Sequence, residues 1–249
     1  MMKQRLICTL LMIGLFAVGL AAQGGSIFGI KGGPALTSQQ WQAFQRDPLL
    51  RWQGDVFIET LPAENDFALY ASLGYHPKGS ALRNQLAQNF STGQLFRVPP
   101  QRFIFHNVSL ILGAKQKFDL PGREAKFFYA LGVRGDYTVD TNLDEFEDFN
   151  NTFVSFALYP IDDTQFIREI NYGITVGGGM EYTLSEFVAL SLELNFHPDF
   201  SLQYEQPEIP NVTNPFTFQP DSIPERRIRN LALEVSLGLR FLRKVIYVD

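Results

Sequence analysis

An all-β chain, folded as one eight-stranded antiparallel up-and-down transmembrane β-barrel, is what this sequence of 249 residues predicts. Two observations carry the prediction. Apolar and polar residues alternate strictly over ten or more positions in several segments, which marks strands with one apolar face, longer than the five or six residues of an ordinary strand. The links between those segments alternate between short and long, the pattern of a membrane barrel whose two termini lie on the same side.

Taken in order, the chain begins with an export signal. Lys3 and Arg5 precede an apolar stretch over 6–20, and Ala21 and Ala22 supply small residues for cleavage, so residues 1–22 read as a secretory signal peptide. Residues 23–249 are left as a single barrel domain. Cys8 is the only cysteine and lies in the leader, so the exported chain is held without disulfides. The composition, 45% hydrophobic and 19% charged, excludes a disordered or collagen-like chain. Acidic residues number 26 against 21 basic ones, two of which leave with the leader, and this balance argues against a nucleic-acid partner.

Eight strands follow, over 28–36, 54–61, 67–75, 104–118, 125–137, 170–182, 188–196 and 231–241. The sixth sets Ile170, Tyr172, Ile174, Val176, Gly178, Met180 and Tyr182 on one face. The seventh sets Val188, Leu190, Leu192, Leu194 and Phe196 against Ala189, Ser191, Glu193, Asn195 and His197. In the eighth, Leu231, Leu233, Val235, Leu237, Leu239 and Phe241 alternate with polar or small residues. Such lengths match the 9–11 residues that a tilted strand needs to cross a bilayer, and an even strand number suits an outer-membrane barrel. Links 62–65, 119–122 and 184–186 are short periplasmic turns. The other four, 37–53, 76–103, 138–169 and 197–229, are long outer loops.

The face opposite the apolar one collects charge: Lys31, Glu59, Lys115, Lys117, Lys126, Arg134, Asp136, Glu181, Glu193, Glu234 and Arg240. One reading is an ion path. Eight strands, however, leave an interior only wide enough for side chains, which favours a plugged lumen filled by an ion-pair and hydrogen-bond network. His76 and His197 each precede a proline at the end of the third and seventh strands. Those strands lie across the barrel, so the two read as separate polar rim residues rather than as a metal pair. His106 faces outward beside Phe103 and Phe105. Two residues on stands Val108, where a serine would be needed to build a lipid-facing nucleophile and base.

Residues 140–148 begin like a calcium loop, with oxygen ligands at alternate positions. Glu145 occupies the place of the required glycine and Asn151 that of the closing glutamate, so a solvated acidic loop is the default and calcium ordering the alternative. Gly177, Gly178 and Gly179 lie within a strand and lack the ending of a phosphate loop; they serve bending and close packing. Tyr75, Phe103, Phe105, Phe118, Tyr137, Tyr172, Tyr182, Phe187, Phe196 and Phe241 gather at strand ends as aromatic belts. The last outer loop holds Pro207, Pro210, Pro215, Pro220 and Pro224 with Phe216 and Phe218. It forms either a partner-binding surface or a cover for the barrel mouth.

Three stretches carry a family resemblance. Ile27-Phe28-Gly29-Ile30-Lys31-Gly32-Gly33, Leu73-Gly74-Tyr75-His76-Pro77-Lys78-Gly79-Ser80 and Ser236-Leu237-Gly238-Leu239-Arg240-Phe241 resemble the first strand, the third-strand exit and the closing strand of the PorT-like outer-membrane β-barrel family of Bacteroidota. The resemblance implies an eight-stranded barrel in the bacterial outer membrane, with some relatives linked to protein secretion. The long Pro-rich outer loops and the tail 245–249 depart from it.

The function expected is a non-enzymatic outer-membrane barrel, without cofactor or metal, that contacts outer-membrane lipid and binds an extracellular or secretion-system protein partner through its outer loops. The alternatives are a secreted lipocalin-like ligand-binding barrel, with apolar faces turned inward, and an accessory barrel of a secretion system. A lipid-modifying barrel enzyme is a further alternative that lacks a visible catalytic set.

Overall fold

The computed structural model describes residues 25–243, apart from 42–45, 62–65, 84–85, 89–92, 98–99, 122–123, 148–159 and 214–217. The expected leader 1–22 and the tail 245–249 fall outside the described residues.

Alternation in sequence becomes alternation in space. The strands are β1 (Ser26–Gln40), β2 (Asp47–Thr60), β3 (Phe67–Tyr75) and β4 (Gln101–Asp119). They continue as β5 (Ala125–Thr141), β6 (Ile170–Thr183), β7 (Val188–Pro198) and β8 (Arg226–Arg243). Each pairs antiparallel with its sequence neighbour, and β1 pairs with β8 from Ser26↔Arg243 to Gln40↔Arg229. The sheet therefore closes on itself as an eight-stranded barrel, which removes its edges.

The two faces of the wall are inverted relative to a water-soluble barrel. Leu192, Leu194, Val133, Leu131 and Leu237 point outward and are exposed, Leu237 at 68%. Glu59, Lys115, Lys117, Arg134, Asp136, Glu193 and Glu234 point inward and are buried. The lipocalin-like alternative needs the opposite arrangement and is overturned by it. Small inward residues make the interior packing possible. A Cβ on Gly179 would lie 2.2 Å from the Leu192 carbonyl oxygen and 2.9 Å from the Phe128 ring, so glycine here makes room for an inward phenylalanine.

β3 has the predicted bounds, while β1 and β2 run further than predicted and pair through Leu36↔Leu50 and Thr37↔Leu49. This leaves only residues 41–46 as their connection, so most of the expected outer loop 37–53 is wall. The connections after β3, β5 and β7 stay long. They contain short strands of their own: Lys78–Leu82 pairs with β4, Tyr204–Gln206 pairs with β8, and Ile209–Thr213 forms a hairpin with Pro220–Ile223.

At the loop end of the lumen lies an apolar core of Phe103, Phe105, Leu143, Phe146, Tyr204 and Ile228. Phe103 and Phe105, expected in the outer aromatic belt, are fully buried here. Their odd positions keep the inward parity of Asn107 and Ser109 along β4, so they cover the lumen from inside. Tyr75, Phe118, Tyr172, Tyr182, Phe187 and Phe196 do sit outward at strand ends.

Candidate functional site: the charged lumen

The lumen is built in layers, each placed by inward positions of different strands. Nearest the short turns, Glu59 of β2 takes Lys117 and, at 3.1 Å, Arg240, while Lys115 stands 3.4 Å from its second oxygen. Glu181 of β6 meets the same Lys117 at 3.1 Å and also Arg240. One step higher, Lys31 donates to Glu193 at 2.7 Å and Lys115 donates to it at 3.1 Å.

The middle layer is a histidine pair. His76 Nδ1 lies 2.9 Å from Glu234 Oε1 and its Nε2 lies 3.0 Å from Asp55 Oδ1. His197 Nδ1 meets the Thr175 hydroxyl at 2.9 Å, and its Nε2 stands 3.0 Å from Glu234 Oε2. The two rings sit edge to face with centroids 6.0 Å apart. The sequence places them as separate polar residues on opposite sides of the outer rim. In so narrow a barrel the residues of opposite strands meet at the centre, and one carboxylate serves both rings.

Above them, Lys78 donates to Asp136 at 2.6 Å and to Asp199 at 2.8 Å. Arg134 reaches the same two carboxylates, 3.1 Å from Asp136. Ser109 completes Asp136, and Asn230 donates to Asp199 at 3.1 Å. Polar amides of Gln39, Asn230 and Gln203 then lead up to the apolar core.

All eight residues expected to form the lumenal network, Lys31, Glu59, Lys115, Arg134, Glu181, Glu193, Glu234 and Arg240, belong to it, as do Lys117 and Asp136. Lys126 does not. It sits half-exposed at the turn-side rim, paired with Asp66 at 3.0 Å and Asp119 at 2.9 Å. Sequence reading missed Asp55, Lys78 and Asp199. Asp55 shares the inward parity of Glu59 and was legible by that rule; Lys78 and Asp199 extend the parity of His76 and His197, but each follows a proline that reads as the end of the strand.

The charges nearly cancel. Asp55, Glu59, Asp136, Glu181, Glu193, Asp199 and Glu234 face the permanent cations Lys31, Lys78, Lys115, Lys117, Arg134 and Arg240, leaving one negative charge. Carboxylate oxygens only accept, so an imidazole bonded to carboxylates through both nitrogens carries hydrogen on both. His76 in that form closes the balance. Burying so many ions is costly unless each is paired, and here the pairing is mutual. The void at the centre, between His76, Lys115 and Glu193, measures about 10 Å3, room for a single water.

Outside the lumen, His106 stacks on Tyr75 and is hydrogen-bonded to its hydroxyl. Ser109 points inward to Asp136, so the serine and histidine of β4 lie on opposite faces. The acidic loop, read as solvated by default with calcium ordering as the alternative, holds a tight turn over Leu143–Phe146 with Leu143 and Phe146 buried. Asn142 is occupied with the wall, accepting from the Ile104 N–H at 2.8 Å and donating to the Arg102 carbonyl at 2.9 Å. Asp148 and Asn151 lie outside the described residues. Among the described residues no three carboxylate, imidazole or thiol groups converge as metal ligands. Beside the turn opens an acidic cleft of about 530 Å3, lined in part by Asp140, Asp144, Glu145, Asp162 and Glu169. Desolvation, with Asp144, Glu147, Asp140 and Asp163 nearby, raises the Asp162 carboxyl above the usual aspartate range.

No protein-family model and no curated protein matches the chain. Solved structures do. Neisserial surface protein A is 12% identical at a TM-score of 0.44, over 86% of this chain and 96% of its own. The outer membrane protein OprG of Pseudomonas aeruginosa is 10% identical at 0.48, over 87% and 96%. The outer membrane protease OmpT of Escherichia coli is 8% identical at 0.35, over 88% and 97%. These are likenesses to outer-membrane proteins of differing activity, too distant to bear on function.

Proposed function

We propose that this protein is a bacterial outer-membrane barrel, exported through a cleaved signal peptide, whose lumen is plugged at neutral pH and whose outer loops bind an extracellular or secretion-system protein. The observation that carries the reading is the inverted wall. Exposed leucines, valines and aromatics girdle the outside, a surface stable against lipid, while the buried interior is ionic. The short turns then face the periplasm and the long connections face outward, as in other barrels of this kind.

A binding rather than catalytic role is supported by the disposition of the reactive groups. The lumenal acids and bases are engaged with one another, and His106 is engaged with Tyr75. The outer hairpin of Ile209–Thr213 and Pro220–Ile223 offers the contact surface. Phe218 at its tip is 79% exposed and held at φ 54°, a left-handed conformation unfavourable for a bulky side chain. An exposed aromatic kept in a strained backbone suits a contact residue. Within this reading the PorT-like resemblance of 27–33, 73–80 and 236–241 is retained as part of the proposal. The test is cell fractionation with heat-modifiable gel migration. The protein should appear in the outer-membrane fraction and shift in mobility on boiling; recovery as a soluble periplasmic species overturns the proposal.

A further inference from the structure

The chain leaving β3 continues along β4 toward the loop end in the same register, and buries alternate side chains in the lumen. His76, Lys78 and Ser80 of this strap are almost fully buried. On one side it is hinged to β4 by the ladder from Lys78↔Phe105 to Leu82↔Gln101. On the other side it meets β2 only at Asp47↔Ala81 and Pro48↔Ser80. Side chains do the rest of the holding. Thr37 donates to the Gly79 carbonyl at 2.9 Å and accepts from its N–H at 3.1 Å. Ser80 donates to Gln39 at 2.7 Å, Lys78 is held by Asp136 and Asp199, and His76 is held by Asp55 and Glu234. The anchors that span the lumen are thus ionic, and one of them depends on a doubly protonated imidazole.

We propose that residues 76–82 form a proton-controlled gate, so that the barrel passes cations when His76 loses a proton. This rests on the membrane reading above. The groups facing His76 are Asp55 from β2, Glu234 from β8 and His197 from β7. Around the void beside it, Lys31 of β1 and Lys115 of β4 are bound to Glu193 of β7, and Tyr70 of β3 completes the wall. Arg134 of β5 is bound to Asp136 and Asp199. A neutral His76 keeps hydrogen on one nitrogen only: it loses either its bond to Asp55, which none of these other groups serves, or its bond to Glu234 Oε1, which leaves Glu234 to His197. The network then carries one net negative charge, which attracts cations. The strap loses its ionic anchor to Asp55 of β2 or Glu234 of β8, and its weaker holds, through Thr37, Gln39 and the two pairings with Asp47 and Pro48, yield as it swings about its ladder to β4.

Planar-bilayer recording of the full-length parent, His76→Gln and Lys78→Met proteins in potassium chloride tests this, each from neutral to alkaline pH. Heat-modifiable migration of the same vesicles at every pH shows that the barrel is folded and inserted, so failure to insert counts against the membrane reading and not against the gate. The parent should be silent at neutral pH and gain open probability about tenfold per pH unit, the slope of a single proton. His76→Gln should conduct at neutral pH without that pH dependence. Lys78→Met, which cuts a different anchor, should keep the pH dependence and conduct more at every pH. An inserted parent that stays silent through the alkaline range overturns the gate. So does a His76→Gln protein with the parent's pH profile.

Discussion

Neighbouring residues Leu192 and Glu193 in the middle of β7 test which face of the wall meets which medium. Leu192 points outward at 47% exposure, between Met180 of β6 and Leu237 of β8. Glu193 points inward at 2% exposure and holds Lys31 at 2.7 Å and Lys115 at 3.1 Å. If the outer face lies in lipid, Leu192→Lys places a charge near mid-bilayer depth, costing about 2–4 kcal/mol. Glu193→Leu removes the common partner of two buried ammonium groups. Lys115 retains Glu59 at 3.4 Å, but Lys31 has no other ion pair within reach among the described residues, so a loss of about 3–5 kcal/mol is expected. Glu193→Gln keeps the shape and one acceptor and should cost less, about 1–3 kcal/mol. Urea unfolding of vesicle-inserted protein, followed by the heat-modifiable band, reads all three. A near-neutral Glu193→Leu would refute the buried network, and a tolerated Leu192→Lys would refute lipid on the outer face.

Four further outcomes follow from particular contacts. Steady conductance of the inserted parent at neutral pH should be absent or very small, because the lumen is filled and covered; large stable steps in a planar bilayer would contradict that packing. Phe105→Ala, in the fully buried core under the loops, should cost about 3–5 kcal/mol in the same urea assay. Protease added to intact cells should nick the outer hairpin at 209–223 and spare the turns at 62–65 and 119–122; the reverse would mean the opposite orientation. The raised carboxyl of Asp162 favours the folded outer loops below the ordinary aspartate range, and that contribution is lost as pH rises through its folded value. Asp162→Asn should therefore slow nicking of the outer loops at neutral pH and change little in acid.

Period two carries only part of this architecture. Where outward apolar residues follow one another without interruption, as in β3, β6 and β7, the strands and their faces are legible to within a residue or two, and with them the inward Glu181 and Glu193. β1 and β2 outrun the prediction because Asp47 and Pro48 look like loop residues, although Leu36, Leu50 and Trp52 continue the outward face. Inward charge is legible as a class but not as pairs. Lys31 finds Glu193 across 162 positions of chain, a choice set by barrel closure and strand stagger rather than by local pattern. The strap escaped notice for the same reason: His76-Pro77-Lys78-Gly79 has the composition of a loop, and its inward side chains are held by the carboxylates of β2, β5 and β8, together with Asp199 just beyond β7. Phe103 and Phe105 read as belt residues by composition, whereas their parity along β4 already placed them inward.

On the reading proposed above, lipid and not water is the medium of the outer wall. Refolding the leaderless protein from urea into lipid vesicles and, in parallel, into plain buffer tests it most directly, with β-structure by circular dichroism and dispersity by light scattering as readouts. A folded, heat-modifiable barrel is expected in vesicles, and aggregation or an unfolded chain in buffer. A folded, monodisperse protein in buffer without lipid or detergent would contradict that reading.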